Sequence, residues 1–126
     1  MPEDLFEYAV IRVVPKVERE EFVNVGVILL CSKQQFLQAY IQLGEARLNT
    51  LCPDIDRILL EEHIHSFRQI CAGGFDSGII GQLPLAERFR WLTAARSTMV
   101  QTSPVHPGLC TDAKQMLDHL VKQLVA

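Results

Sequence analysis

Between Arg88 and Gly108 the chain reads RFRWLTAARSTMVQTSPVHPG. That segment gathers Arg88, Arg90, Trp91, Arg96, Ser97, Thr98, Gln101, Ser103 and His106, a mixture that helical or strand patterning alone does not require. Arg96-Ser97-Thr98 has the side chains of an anion cradle. A guanidinium offers a planar fork to phosphate or carboxylate, and hydroxyls add donors. The alternative is that Arg96 closes a helix C-terminus, where the macrodipole favours a cation. His106 stands in SPVHPG, where a rigid turn could present the imidazole to a cleft as acid or base. Ser97 or Ser103 with His106 would supply a nucleophile and a base. However, no GxSxG elbow occurs and no third triad member is evident. Cys110, four residues past His106, does not complete a Cys–His enzyme. No glycine-rich loop or GK[ST] run is present, so a P-loop is excluded as a pattern.

Two further polar sites stand apart from that segment. Arg12 lies in an apolar strand and must be paired if buried. Asn24 lies beside a strand glycine, and a buried amide needs partners. If a short strand near Thr98–Thr102 paired with the strand carrying Arg12, then Arg12, Asn24, Arg96 and His106 would share a polar pocket across the sheet. His63 and His65 resemble an H-x-H metal pair, but two residues on a helix are about 200° apart, so their rings diverge. No metal and no cofactor is expected. Lys16, Glu18, Arg19, Glu20 and Glu21 read as a solvated hairpin end.

The elements that must hold these groups follow from periodicity. Residues 7–14 are β-rich with both faces mostly apolar, as in a central strand covered on each side. Residues 22–30 make a second strand, with Val23, Val25, Val27 and Leu29 on one face and Asn24, Gly26, Ile28 and Leu30 on the other. Gly26 inside it marks a bulge or a close backbone approach. Residues 36–43 alternate as a half-buried outer strand. Short connections make the three an antiparallel meander. Helices are expected at 44–51, at 55–72 with Asp54 as N-cap, from Pro84 onward, and after Thr111 or Asp112. The 55–72 helix has a broad apolar arc that includes Ile58 and Leu59. Residues 75–83 read as a surface loop, and Ser103–Gly108 as a turn. Met116, Leu117, Leu120, Val121, Leu124 and Val125 form a stripe that should dock on the sheet. The fold class is α+β: an antiparallel sheet of three to four strands with helices packed on it.

At 126 residues, 48% hydrophobic and 21% charged, the chain is expected to be one globular domain over residues 1–126 with a sizeable core. A net charge of −3 disfavours nucleic acid as a partner. No apolar run approaches the roughly 20 residues that cross a bilayer. The acidic N-terminus does not read as a secretory signal. Four cysteines at wide, irregular gaps favour reduced core thiols in a cytoplasmic protein.

YAVIRVVP, EFVNVGVIL and the run RFRWLTAARSTMVQTSPVHPG, followed by a short Leu-rich helix, resemble in order the bacterial domain of unknown function DUF3037. The resemblance implies a small standalone bacterial cytoplasmic domain with an accessory role, its partner a HipA-like kinase. The matching motif positions are Arg12, Glu21, Asn24, Gly26, Arg88, Phe89, Trp91, Arg96, Ser97, His106 and Gly108, and the family assigns none of them a role.

The leading expectation is a non-catalytic interaction module using Arg12, Asn24, Arg88, Trp91, Arg96, Ser97 and His106, with a protein partner. The alternative is a small enzyme or binding protein for an anionic or phosphorylated small molecule, held by an Arg/Ser/His pocket. Concavity discriminates them, since an enzyme needs these groups around a closed pocket.

Overall fold

Alternating apolar residues on both faces make β1 (Asp4–Val13) the centre of the sheet. The computed structural model describes residues 2–15 and 21–125; the charged cluster at Lys16, Glu18, Arg19 and Glu20 lies outside them. β2 (Val23–Cys31) and β3 (Phe36–Ile41) complete the meander. On its other edge β1 pairs with β4 (Val100–Thr102) and β5 (His106–Cys110), both antiparallel. The order is β3-β2-β1-β4, with β5 beside β4 along the same edge of β1.

Among the described residues the sheet thus has five strands, because the run expected as a turn continues as β5. The physical cause is at Ser103-Pro104. Proline has no N–H and cannot continue a ladder. Ser103 bridges the break. Its N–H donates to the Val10 carbonyl at 2.8 Å, and the Val10 N–H donates to Ser103 Oγ at 2.8 Å. The hydroxyl takes the place of a backbone carbonyl, and Ser103 as a whole is buried, 3% exposed. Pairing then resumes at Tyr8 and His106.

Helices cover both faces. α1 (Glu45–Leu51), α2 (Arg57–Ala72) and α4 (Leu85–Leu92) enclose a core with Ile11, Val13, Val25, Leu60, Phe67 and Phe89. α5 (Ala113–Leu124) lays Leu117, Leu120 and Val121 on the opposite face over Phe6, Val27 and Leu29. Each such side chain contributes about 1.5–3 kcal/mol by leaving water. α2 starts two residues later than its pattern implies, because Asp56, not Asp54, accepts the Leu59 N–H at 3.0 Å. Asp112 caps α5 in the same way through Gln115 N–H. Only Leu60, Ile64, Phe67 and Cys71 of α2 are buried. Ile58 is 75% exposed, so the broad apolar arc narrows to one stripe against the sheet. The expected loop after Gly73 instead holds a 3₁₀ turn, Phe75–Ser77, and a single helical turn, α3 (Gly78–Gly81).

One residue decides which side of β2 faces which core. Ile11 pairs with Gly26, but Arg12 pairs with Asn24, so Val25 is an extra residue in a β-bulge. The bulge reverses the alternation. Val23 and Val25 join Ile28 and Leu30 in the first core, while Val27, Leu29 and Cys31 go to the second. Strict alternation, which groups Val23 and Val25 with Val27 and Leu29, is therefore corrected here. Glycine is required because a Cβ at Gly26 would stand 2.1 Å from the Tyr40 carbonyl oxygen of β3.

Two stability predictions follow from these contacts. Gly26→Ala drives a methyl group into the backbone of β3 and should cost about 1–3 kcal/mol in urea denaturation. Gly44→Ala, where only the Arg47 Cβ lies within contact, serves as its control. Ser103→Ala strips the buried Val10 N–H of its acceptor and should cost about 1–3 kcal/mol. Exposed Ser97→Ala should stay within about 0.5 kcal/mol of wild type. Equal midpoints for the two serine variants would remove Ser103 from its bridging role.

Candidate functional site

Pro84 precedes α4 and serves as its N-cap. On the short helix that follows, Phe89 and Leu92 turn to the sheet, which sends Arg88, Arg90 and Trp91 elsewhere. Arg88 reaches sideways to the end of α2, where its Nη1 donates to the Cys71 carbonyl at 3.0 Å and the Ile70 carbonyl at 3.3 Å. It thereby satisfies helix-end acceptors that otherwise lack partners. A Cβ on Gly73 would collide with that guanidinium at 2.1 Å, which ties the end of α2 to Arg88. Arg90 grips Glu7 of β1 with both forks, at 2.7 and 2.8 Å. These two arginines are framework.

Trp91 and Arg96 form a different pair. Trp91 is 44% exposed. Arg96 returns from the connection after α4, donates through Nη2 to the Trp91 carbonyl and lies over the indole, 5.3 Å from its centroid. The helix-closing role is thus real, yet the guanidinium stays partly exposed and makes no ion pair with a carboxylate among the described residues. Beside it is a cleft of about 160 Å³ between α2 and the α4–β4 connection. Phe67, Leu92 and Val100 make its apolar floor. His63, Ser66, Arg96 and Thr98 supply its polar atoms. The Thr98 hydroxyl is spent on the Val100 carbonyl at 2.8 Å. Ser97 is exposed and does not line the cleft.

The remaining candidates sit on the opposite face of the sheet. Arg12 faces away from Ile11 and Val13, and its guanidinium lies over the Phe22 ring at 4.1 Å. The bulge turns Asn24 to the same side, where its Nδ2 approaches the Leu124 carbonyl at 3.5 Å. Arg12 Nε and Asn24 Oδ1, a donor and an acceptor on cross-strand partners, are buried without a hydrogen bond among the described residues. A cleft of about 370 Å³ adjoins Asn24, between β2, Gln42, Arg47 and Val125. His106 stacks on Tyr8 with ring centroids 5.3 Å apart. Tyr8 precedes Arg12 by four residues, about 13 Å along a strand. β4 does pair at Arg12, through Gln101. Even so, Arg96 ends on the α2 face, so the shared pocket of Arg12, Asn24, Arg96 and His106 does not form.

Nucleophile chemistry finds little support in the geometry. Ser103 Oγ accepts from Val10 N–H and donates to the Pro104 carbonyl at 2.9 Å. All four cysteines are buried and unpaired. Burial pushes the Cys71 and Cys110 thiols up to about 11. They stay protonated near neutral pH, whereas the thiolate is the reactive form. His63 is half-buried and His65 exposed, as their 200° separation requires. Among the described residues, no group of three or more His, Cys, Asp or Glu is placed to hold a metal ion. No described helix is long and apolar enough to cross a membrane.

His63 and Ser66 are the residues that sequence reasoning missed. His63 drew notice only as half of a metal pair, and Ser66 drew none. The available signal was their i, i+3 spacing, which puts both on one side of α2. Nothing local links that side to Arg96, some thirty residues later.

No curated protein and no solved structure matches the chain. A family model, described as a protein of unknown function, matches residues 8–125, nearly all of it. The motifs of β1, of β2 with its bulge, and of the Arg88–Gly108 run all lie inside that match, and the chain belongs to the DUF3037 family.

Proposed function

We propose that this protein is a non-catalytic interaction module of the bacterial cytoplasm, and that it docks a protein partner on the face made by Trp91, Arg96 and the cleft beside them. The observation that carries this reading is the exposed indole held under Arg96, a residue that also lines an apolar-floored cleft. A tryptophan beside an arginine is the composition of an interface hot spot. Size also favours it. The cleft's roughly 160 Å³ falls short of the ~300–1,000 Å³ of pockets that enclose small ligands. It suits one anchoring side chain.

A HipA-like kinase is the first partner to try, on the strength of the family resemblance alone. The test is co-purification with the tagged chain from a native host, followed by titration of the recovered partner. Trp91→Ala should weaken binding about 30-fold or more, the range of a hot spot of 2 kcal/mol. The circular dichroism spectrum should not change, since Trp91 is 44% exposed and belongs to neither core cluster. Arg96→Ala should weaken it similarly. Capture that survives both substitutions unchanged rules this face out as the docking surface.

A further inference from the structure

Above its apolar floor, the cleft lined by Arg96 carries polar groups without a negative charge among the described residues. Arg96 and His63 are its basic groups and Ser66 adds a hydroxyl, while no carboxylate among the described residues lines it. We propose that it is a receptor for a phosphoryl group, a phosphomonoester carried on a side chain of the protein partner. The inference rests on the docking face proposed above and specifies what that face recognises.

The donors are arranged for an oxyanion. The bond from Arg96 Nη2 to the Trp91 carbonyl and the indole beneath it hold the Arg96 side chain in place. Nε and Nη1 make no hydrogen bond among the described residues and remain free to donate. His63 and Ser66 line the cleft from α2, one turn apart, and Arg96 lines it from the α4–β4 connection, so its polar groups come from two walls. The Ser66 hydroxyl makes no hydrogen bond among the described residues and is available to donate, whereas the Thr98 hydroxyl is already engaged. A carboxylate offers two oxygens in one plane. A phosphoryl group offers three strong acceptors in a tetrahedron and up to two negative charges. Donors on opposing walls are better matched by the second. The cleft of about 160 Å³ takes the phosphoryl group with its short ester stem, and the rest of the ligand lies outside as part of the partner's surface.

Trp91 is the only tryptophan in the chain, so its fluorescence reports directly on events at Arg96. The experiment titrates the full chain, at constant ionic strength, with inorganic phosphate, O-phosphoserine, a short phosphoserine peptide, and its serine and glutamate twins. Wild type, Arg96→Gln and Ser66→Ala are compared, each checked for folding. The phosphopeptide should give a saturable change. Its affinity should fall about tenfold or more in each variant, the loss expected for a hydrogen bond to a charged group. The serine peptide should give none. Ser66 is exposed, so its variant keeps the test open should Arg96→Gln fail to fold. Identical responses to the phosphoserine and serine peptides, or unaltered binding in Ser66→Ala, overturn the proposal. Equal binding of the glutamate twin replaces the phosphoryl group with a carboxylate. O-phosphoserine binding as tightly as the phosphopeptide overturns the assignment to a protein side chain and makes a small phosphate ester the ligand. A flat titration combined with partner capture that Trp91→Ala still abolishes sinks this inference alone and leaves the docking face standing.

Discussion

Every other feature of the molecule depends on β1 being hydrogen-bonded along both edges. An unpaired backbone group in a buried strand costs about as much as a lost hydrogen bond. β1 is too long for one neighbour on its second edge, and that edge is shared between β4 and β5. The join falls where Pro104 prevents continuous pairing. Ser103 meets the need by lending its hydroxyl to Val10 N–H. One buried side-chain oxygen therefore holds the central strand, returns the chain to the sheet, and aims it at α5.

The central position of β1 also explains why the polar residues separate. A strand sends alternate side chains to opposite faces, and here both faces are covered. Arg12 goes to the α5 side because its neighbours Ile11 and Val13 belong to the other core. Asn24 follows it only because the Val25–Gly26 bulge reverses the alternation of β2. Arg96 belongs to the connection after α4 and is held over Trp91 on the α2 side. The arginines of the Arg88–Gly108 segment divide their labour in the same way. Arg88 closes α2, Arg90 fastens α4 to β1, and Arg96 lines a cleft.

The family match covers the same elements and leaves their activity open. The physical chemistry of the cleft is therefore what distinguishes among readings. Its size argues against an enclosed substrate, its lining favours an oxyanion, and the exposed indole under Arg96 favours a protein surface.

The sequence alone was enough to reveal the meander, the central character of β1, the docking stripe of α5 and the α+β class. Each depends on a period of two or 3.6 residues, which is local information. It also flagged Gly26 as a bulge or close approach, and Arg96 as a helix-closing or anion-binding residue. Tertiary structure shows that both descriptions of Gly26 hold and that the helix-closing description of Arg96 holds. Gly26 sits in the bulge and also lies under the Tyr40 carbonyl; Arg96 caps α4 and also lines a cleft. Local pattern could not find β5, because proline-rich SPVHPG has the composition of a turn. Its pairing is imposed by the free edge of β1, nearly a hundred residues away. Nor could it join His63 and Ser66 to Arg96. Their proximity arises from helix α2 and the α4–β4 connection packing over the same core, and a contact between distant segments leaves no periodic trace in a single chain.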